Sequence, residues 1–174
     1  MDAIQTPTPG GPVAQDVDEI YLVQNPALGA VLLWKFIEGY KRASDGGLPL
    51  LPLAFIVLPI IFNEALRDAI GKTLESSGMR VFVSKFSKNQ ESLLSIQRRM
   101  ITLRSTTLVS LSIAIEADLL KLNHSTAIID CSAKPLPSNV PASIKVLVKQ
   151  AEKLGAWCSA LTIQEIQSAL RIGF

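Results

Sequence analysis

The stretch "NPALGAVLLWKFIEGY", Asn25 to Tyr40, constrains the fold more than any other, because a helix built from it has almost no polar circumference. Asn25 is placed to accept a bond from the first free backbone N–H groups, and Pro26 suits the first helical position, so the start of the helix is well marked. Leu28, Val31, Leu32, Phe36 and Ile37 share a face, and Ala30, Leu33, Trp34 and Tyr40 fill much of the remainder. Only Lys35, Glu38 and Lys41 are left as a narrow polar stripe. In water such a helix must be covered on most sides. Leu28, Leu32 and Phe36 form the seam expected to face the chain's own core. Trp34, with Ile37 beside it, and Tyr40 are the candidate partner-binding residues, tryptophan being the residue type most often found as an anchor at an interface.

With 174 residues, 48% of them hydrophobic, the chain has material for one good-sized core. A formal net charge of +2 is nearly balanced, so binding to nucleic acid or an acidic membrane needs a local patch. Two cysteines, Cys131 and Cys158, read as reduced thiols, and a single histidine, His124, cannot build a His-rich metal site. No metal or cofactor is expected. The opening "MDAIQTPTPGGPVAQDVDE" has no Lys or Arg and no apolar run of signal-peptide type. Residues 1–17 are therefore expected to be a flexible tail, with a single helical domain over 18–174.

A second apolar run, "LPLLPLAFIVLPIIF" from Leu48 to Phe62, is shorter than the roughly 18–20 residues a membrane span needs, and Pro49, Pro52 and Pro59 interrupt it. It reads as a buried core segment, with no membrane as partner. Periodicity leaves helix and strand both open; helix is preferred, opened by Pro52, kinked at Pro59 and continuing into "NEALRDAIGKTLE".

Further along, "GMRVFVSKF" from Gly78 to Phe86 alternates as a short strand or the arm of a small wing would. From Asn89, a plausible cap, the spacing of Leu93, Ile96, Met100 and Leu103 predicts a helix, with a break or kink at Ser105 to Thr107. A following helix is expected to carry Leu108, Leu111, Ile115, Leu119 and Leu122 on one face and to end around Asn123. "STAIIDCS" reads as a short strand, and the prolines of "KPLPSNVP" as a loop. Pro141 opens a helix with Ile144, Leu147, Val148, Ala151 and Leu154 inward and Gly155 near its end. "TIQE", Thr162 to Glu165, matches a capping box ahead of a short last helix. The fold class is mainly α (α+β): a compact multi-helix domain with a few short strands, of which a winged-helix-like arrangement is one form.

Catalytic signatures are missing from the pattern. "IGKT", Ile70 to Thr73, ends like a phosphate-binding loop, but Leu66 stands where that motif requires glycine and the preceding residues read as helix. His124 with Cys131 or Cys158 would be a nucleophile and base, yet nothing supplies an orienting acid or an oxyanion hole. Glu116 and Asp118 are two apart on a helix and point in different directions. The local charge imbalance is Arg80, Lys85, Lys88, Arg98, Arg99 and Arg104 against Glu91. Arg98, Arg99 and Arg104 are the candidate phosphate or nucleic-acid contacts, although without base-stacking aromatics in an obvious position a solvated or protein-binding face is the preferred reading.

Four stretches together resemble the middle-component family of bacterial three-component ABC ATPase systems. They are "NPALGAVLLWKFIEGY", "LAFIVLPIIF", "LLKLNHSTAIID" and "KQAEKLGAWCSALTIQEIQSALRIGF", whose Ala-Glu-x-Leu-Gly-x-Trp core is the most distinctive. The sequence departs from the family pattern at Asn63, where histidine often stands, and in ending "LRIGF". The resemblance implies a cytoplasmic, non-enzymatic adaptor in biological conflict such as antiphage defence. Its implied partners are an ABC ATPase subunit and an effector subunit, with nucleic acid reached through the complex. The alternative reading is a winged-helix-type DNA-binding protein that uses the Arg98/Arg99/Arg104 face.

Overall fold

The computed structural model describes residues 25–88 and 90–174. The expected tail and the beginning of the domain, and Asn89 as a cap, lie outside the described residues. Helix α1 spans Pro26–Ala43, and the Asn25 side chain accepts the Leu28 N–H at 3.0 Å as the sequence predicts. At its other end the Ser44 hydroxyl donates to the Tyr40 carbonyl at 2.7 Å, and Lys41 and Arg42 lie in the last turn, where cations are favoured.

Helix α1 is the axis of the molecule. It packs against α7 (Ala142–Ser159), α6 (Arg104–Glu116) and α2 (Ala54–Ile61). The contact with α7 is backbone to backbone: a Cβ on Gly155 would lie 2.0 Å from the Phe36 carbonyl oxygen, and one on Gly39 2.1 Å from that of Glu152. Gly155 therefore marks a crossing point, and α7 runs four residues past it. The same logic governs α6, where a Cβ on Gly29 would meet the Ser110 hydroxyl. Thr107, Ser110, Leu111 and Ala114 turn inward because only a face of mostly small residues lets the two axes approach so closely. Leu108 and Ile115, expected inside, are consequently exposed. That helix also stops at Glu116, well before Asn123. Leu120–Asn123 is instead strand β1, paired antiparallel with β2 (Ile128–Cys131) in the register Leu120 to Cys131 and Asn123 to Ile128. Asn123 ends a strand, its side chain accepting the Ser125 and Thr126 N–H groups across the turn.

The Leu-Pro run resolves as a 3-10 turn, Leu51–Leu53, leading into α2, with Pro59 inside the helix. Ile56 to Phe62 are all buried. Eight residues of α2 are far short of a bilayer, and no helix among the described residues is long and apolar enough to cross one. Helix α3 (Glu64–Gly71) follows, capped by the Asn63 side chain. Gly-Lys-Thr thus closes a helix rather than opening one after a strand. A second 3-10 turn, Glu75–Ser77, leads to α4, Gly78–Ser84. This corrects the expected strand or wing arm: Met79, Phe82 and Phe86 are buried with spacing three and four, a helical period that outweighs the short alternation of Val81 and Val83. Helix α5, Glu91–Thr102, buries Leu93, Ile96 and Met100, and the break before α6 falls at Leu103, just ahead of the expected Ser105–Thr107. Helix α8, Ile163–Leu170, starts with the predicted capping box, Thr162 N–H donating to Glu165 at 2.8 Å and the Glu165 N–H to the Thr162 hydroxyl at 3.2 Å.

Candidate interaction surface

Of the residues expected to face a partner, Trp34 is 2% exposed and Ile37 1%, both inside the core. The Trp34 indole N–H donates to the Ser132 carbonyl at 3.1 Å, so the strap after β2 closes over the ring. Lys35, on the supposed polar stripe, is buried too. Its ammonium lies 4.1 Å from the Trp34 ring centroid, bonds the Glu38 carboxylate and sits 4.0 Å from that of Glu152. Burial pushes the Glu152 carboxyl above the ordinary glutamate range, with Lys35 opposing. Tyr40 alone of the three is partly exposed, and burial raises its phenol. In this conformation a partner can touch Tyr40 but not the faces of Trp34 and Ile37, because the chain itself has covered the helix. Nearby, Lys41 and Asp130 pair at 2.6 Å. This bond raises the lysine, while for Asp130 burial acts upward but the bonds from Lys41 and the Cys131 N–H hold it below the ordinary aspartate range.

The basic residues separate in space. Arg80 of α4 reaches Glu165 of α8 at 3.5 Å, and the Lys85 ammonium donates to the Lys72 carbonyl at 2.8 Å. Arg98 and Arg99 line an open cleft of ≈ 830 Å³ between α5 and the α2–α3 junction, of mixed polar and apolar lining, shared with Asn63, Leu94, Ser95 and Thr102. The Arg99 side chain donates to the Pro59 carbonyl at 3.2 Å. Arg104 is elsewhere, on a second, largely apolar groove of ≈ 420 Å³ lined by Pro52, Phe55, Met100, Ile101 and Phe174. Ile101 is 67% exposed, Leu94 56% and Phe174 44%. Sequence reasoning missed both clefts, although Leu94, which lines the first, and Ile101, which lines the second, lie seven apart, off the buried face of Leu93, Ile96 and Met100.

The nucleophile candidates do not meet. His124 is exposed in the hairpin turn, whereas Cys131 pairs with Leu120 at the opposite end of the hairpin. Cys158 is fully enclosed in α7, and burial pushes both thiols up, away from the reactive thiolate. No cluster of His, Cys, Asp and Glu among the described residues is arranged to hold a metal ion. What this surface offers is grooves and exposed aliphatic side chains.

A family model described as ABC-three component (ABC-3C) system Middle Component 3 matches residues 13–174. The chain belongs to that family. Neither the curated proteins nor the solved structures give a match. As an ABC-3C middle component it is a non-enzymatic adaptor-type subunit, and protein partners are implied by the family itself. Within this middle component the open clefts lie along α5 and at the start of α6, and the α1 tryptophan is buried.

Proposed function

We propose that this chain links the ABC ATPase of a three-component system to its effector subunit, in the cytoplasm and in the service of bacterial conflict such as antiphage defence. The observation that carries the reading is the family match over residues 13–174. The exposed aliphatic residues of α5 and α6 support it, because side chains such as Ile101 and Leu108 gain from burial only when another molecule covers them. Nucleotide chemistry is left to the ATPase: Lys72 and Thr73 follow directly on the end of α3, and the Thr73 hydroxyl donates to the Ala69 carbonyl at 2.6 Å, without a glycine-rich loop of free N–H groups to hold phosphate. The test is affinity capture from a strain co-expressing all three subunits, with the tag on the ATPase. The effector should be retained with this chain present and lost with it deleted; retention without it contradicts the linking role.

A competing reading is direct DNA binding, favoured by Arg98 and Arg99 lining the wide open cleft beside α5. It predicts that the isolated chain binds a labelled duplex with an affinity falling steeply between 50 and 200 mM salt, by roughly tenfold or more where several phosphates are neutralised. The adaptor reading predicts no such binding by the chain alone.

A further inference from the structure

We propose that the groove beside Arg104 receives an apolar segment of a partner subunit that carries a carboxylate at its edge. The inference rests on the adaptor reading and assigns it a docking site. The walls of the groove come from the 3-10 turn and α2 (Pro52, Phe55), from the end of α5 (Met100, Ile101) and from Phe174. They are aliphatic and aromatic, and Ile101 and Phe174 stand well out of the surface. Such walls reward the burial of hydrocarbon, and the polar side chains that line the groove are Gln97 and Arg104.

The charge on this side of the molecule has one dominant sign. Along α5, the start of α6 and the segment after α8 stand Arg98, Arg99, Arg104 and Arg171, against Glu91. Arg99 is engaged by the Pro59 carbonyl and Arg171 by the Gln90 side chain, whereas Arg104 has no carboxylate partner among the described residues. A guanidinium at the rim of an apolar groove is matched by a planar carboxylate that it can hold with two N–H groups, in a setting where the pair is partly shielded from water. Apolar walls and a single rim cation therefore define the occupant: aliphatic or aromatic side chains seated against Ile101 and Phe174, with an Asp or Glu placed to meet Arg104. Arg104 and Leu108 are one turn apart on α6, and Leu94, Arg98 and Ile101 share a face of α5, so a helical segment crossing the groove meets further apolar and cationic side chains on both sides. Nucleic acid fits this surface less well, because its outer face is phosphate and the groove's walls are hydrocarbon.

The test uses the full chain assembled with the ATPase and effector subunits of its own system. Arg104→Lys places an amine where the guanidinium was, and a water-soluble carbodiimide joins an amine only to a carboxylate in contact with it. The expected result is a new amide at position 104, located by mass spectrometry to an Asp or Glu within or next to an apolar run of a partner subunit. In parallel, Ile101→Asp should weaken assembly by about thirtyfold, as expected for a central anchor, with an unchanged melting temperature, and Val146→Asp on α7 should leave it unaltered. A cross-link from position 104 to residues 1–24 of the same chain, or to a second copy, overturns the proposal, as does assembly that tolerates Ile101→Asp. Binding of a duplex DNA by the isolated chain that disappears in Arg104→Ala overturns it in favour of phosphate. Failure of the unsubstituted chain to assemble with either subunit overturns the adaptor reading and this proposal together, whereas normal assembly without the cross-link overturns the groove alone.

Discussion

Trp34 and Trp157 have the same solution for a large amphipathic ring: the body is buried and the indole N–H is given one backbone carbonyl. For Trp157 that carbonyl is Glu75, at 2.8 Å, with the Phe82 ring 5.5 Å away between centroids. Truncating either ring removes packing and strands a carbonyl. Trp157→Ala and Trp34→Ala should each lower stability by about 3–5 kcal/mol in urea titrations. A Trp34→Ala protein that melts like the parent but fails to assemble would instead make that ring a partner contact. The sequence shows that Trp34 needs cover but not whose, because its cover is the strap at Ser132, about a hundred positions away along the chain. Isothermal titration of the chain with Mg²⁺–ATP should be flat, since Lys72 lacks a phosphate-binding loop around it; micromolar binding abolished by Lys72→Ala would contradict this.

At the scale of elements, the local signals that held are those whose partners are near in sequence. The Asn25 cap, the Thr162 capping box and the helix after Pro141 each bond within one turn of themselves. What failed needed distant information. The inward face of α6 is set by the close approach of Gly29, and α4 reads as a strand until Met79, Phe82 and Phe86 are known to share a core. The exposed groove is illegible for a related reason: its walls come from four separate parts of the chain. Two predictions belong here. Gly155→Ala drives a methyl into the Phe36 carbonyl where α1 and α7 touch, and should destabilise by about 1–3 kcal/mol or more, measured by thermal unfolding. The Lys41–Asp130 bond ties α1 to the hairpin; Asp130 is held below its ordinary value of 3.8, so its contribution is present above that pH and is lost as pH falls through the lowered folded value. Asp130→Asn should therefore cost stability at pH 7 and flatten the acid limb of a melting-temperature profile below about pH 4. The difference should stay within about 1 kcal/mol, because both side chains are more than a third exposed.

For the whole molecule, burial and exposure divide the labour. Helix α1 is enclosed by the chain itself, while Leu94 and Ile101 of α5 and the Phe174 ring remain open at the two clefts, and Leu108, Val109 and Ile115 leave α6 with exposed aliphatic side chains of its own. A scaffold whose core is closed and whose grooves are open suits a subunit placed between two others. The most direct test of that role is the mass, by light scattering after size exclusion, of purified ATPase and effector mixed with and without this chain. The account predicts a single species containing all three subunits when it is present, and two separate species when it is omitted. An ATPase–effector complex of the same composition in both mixtures would contradict it.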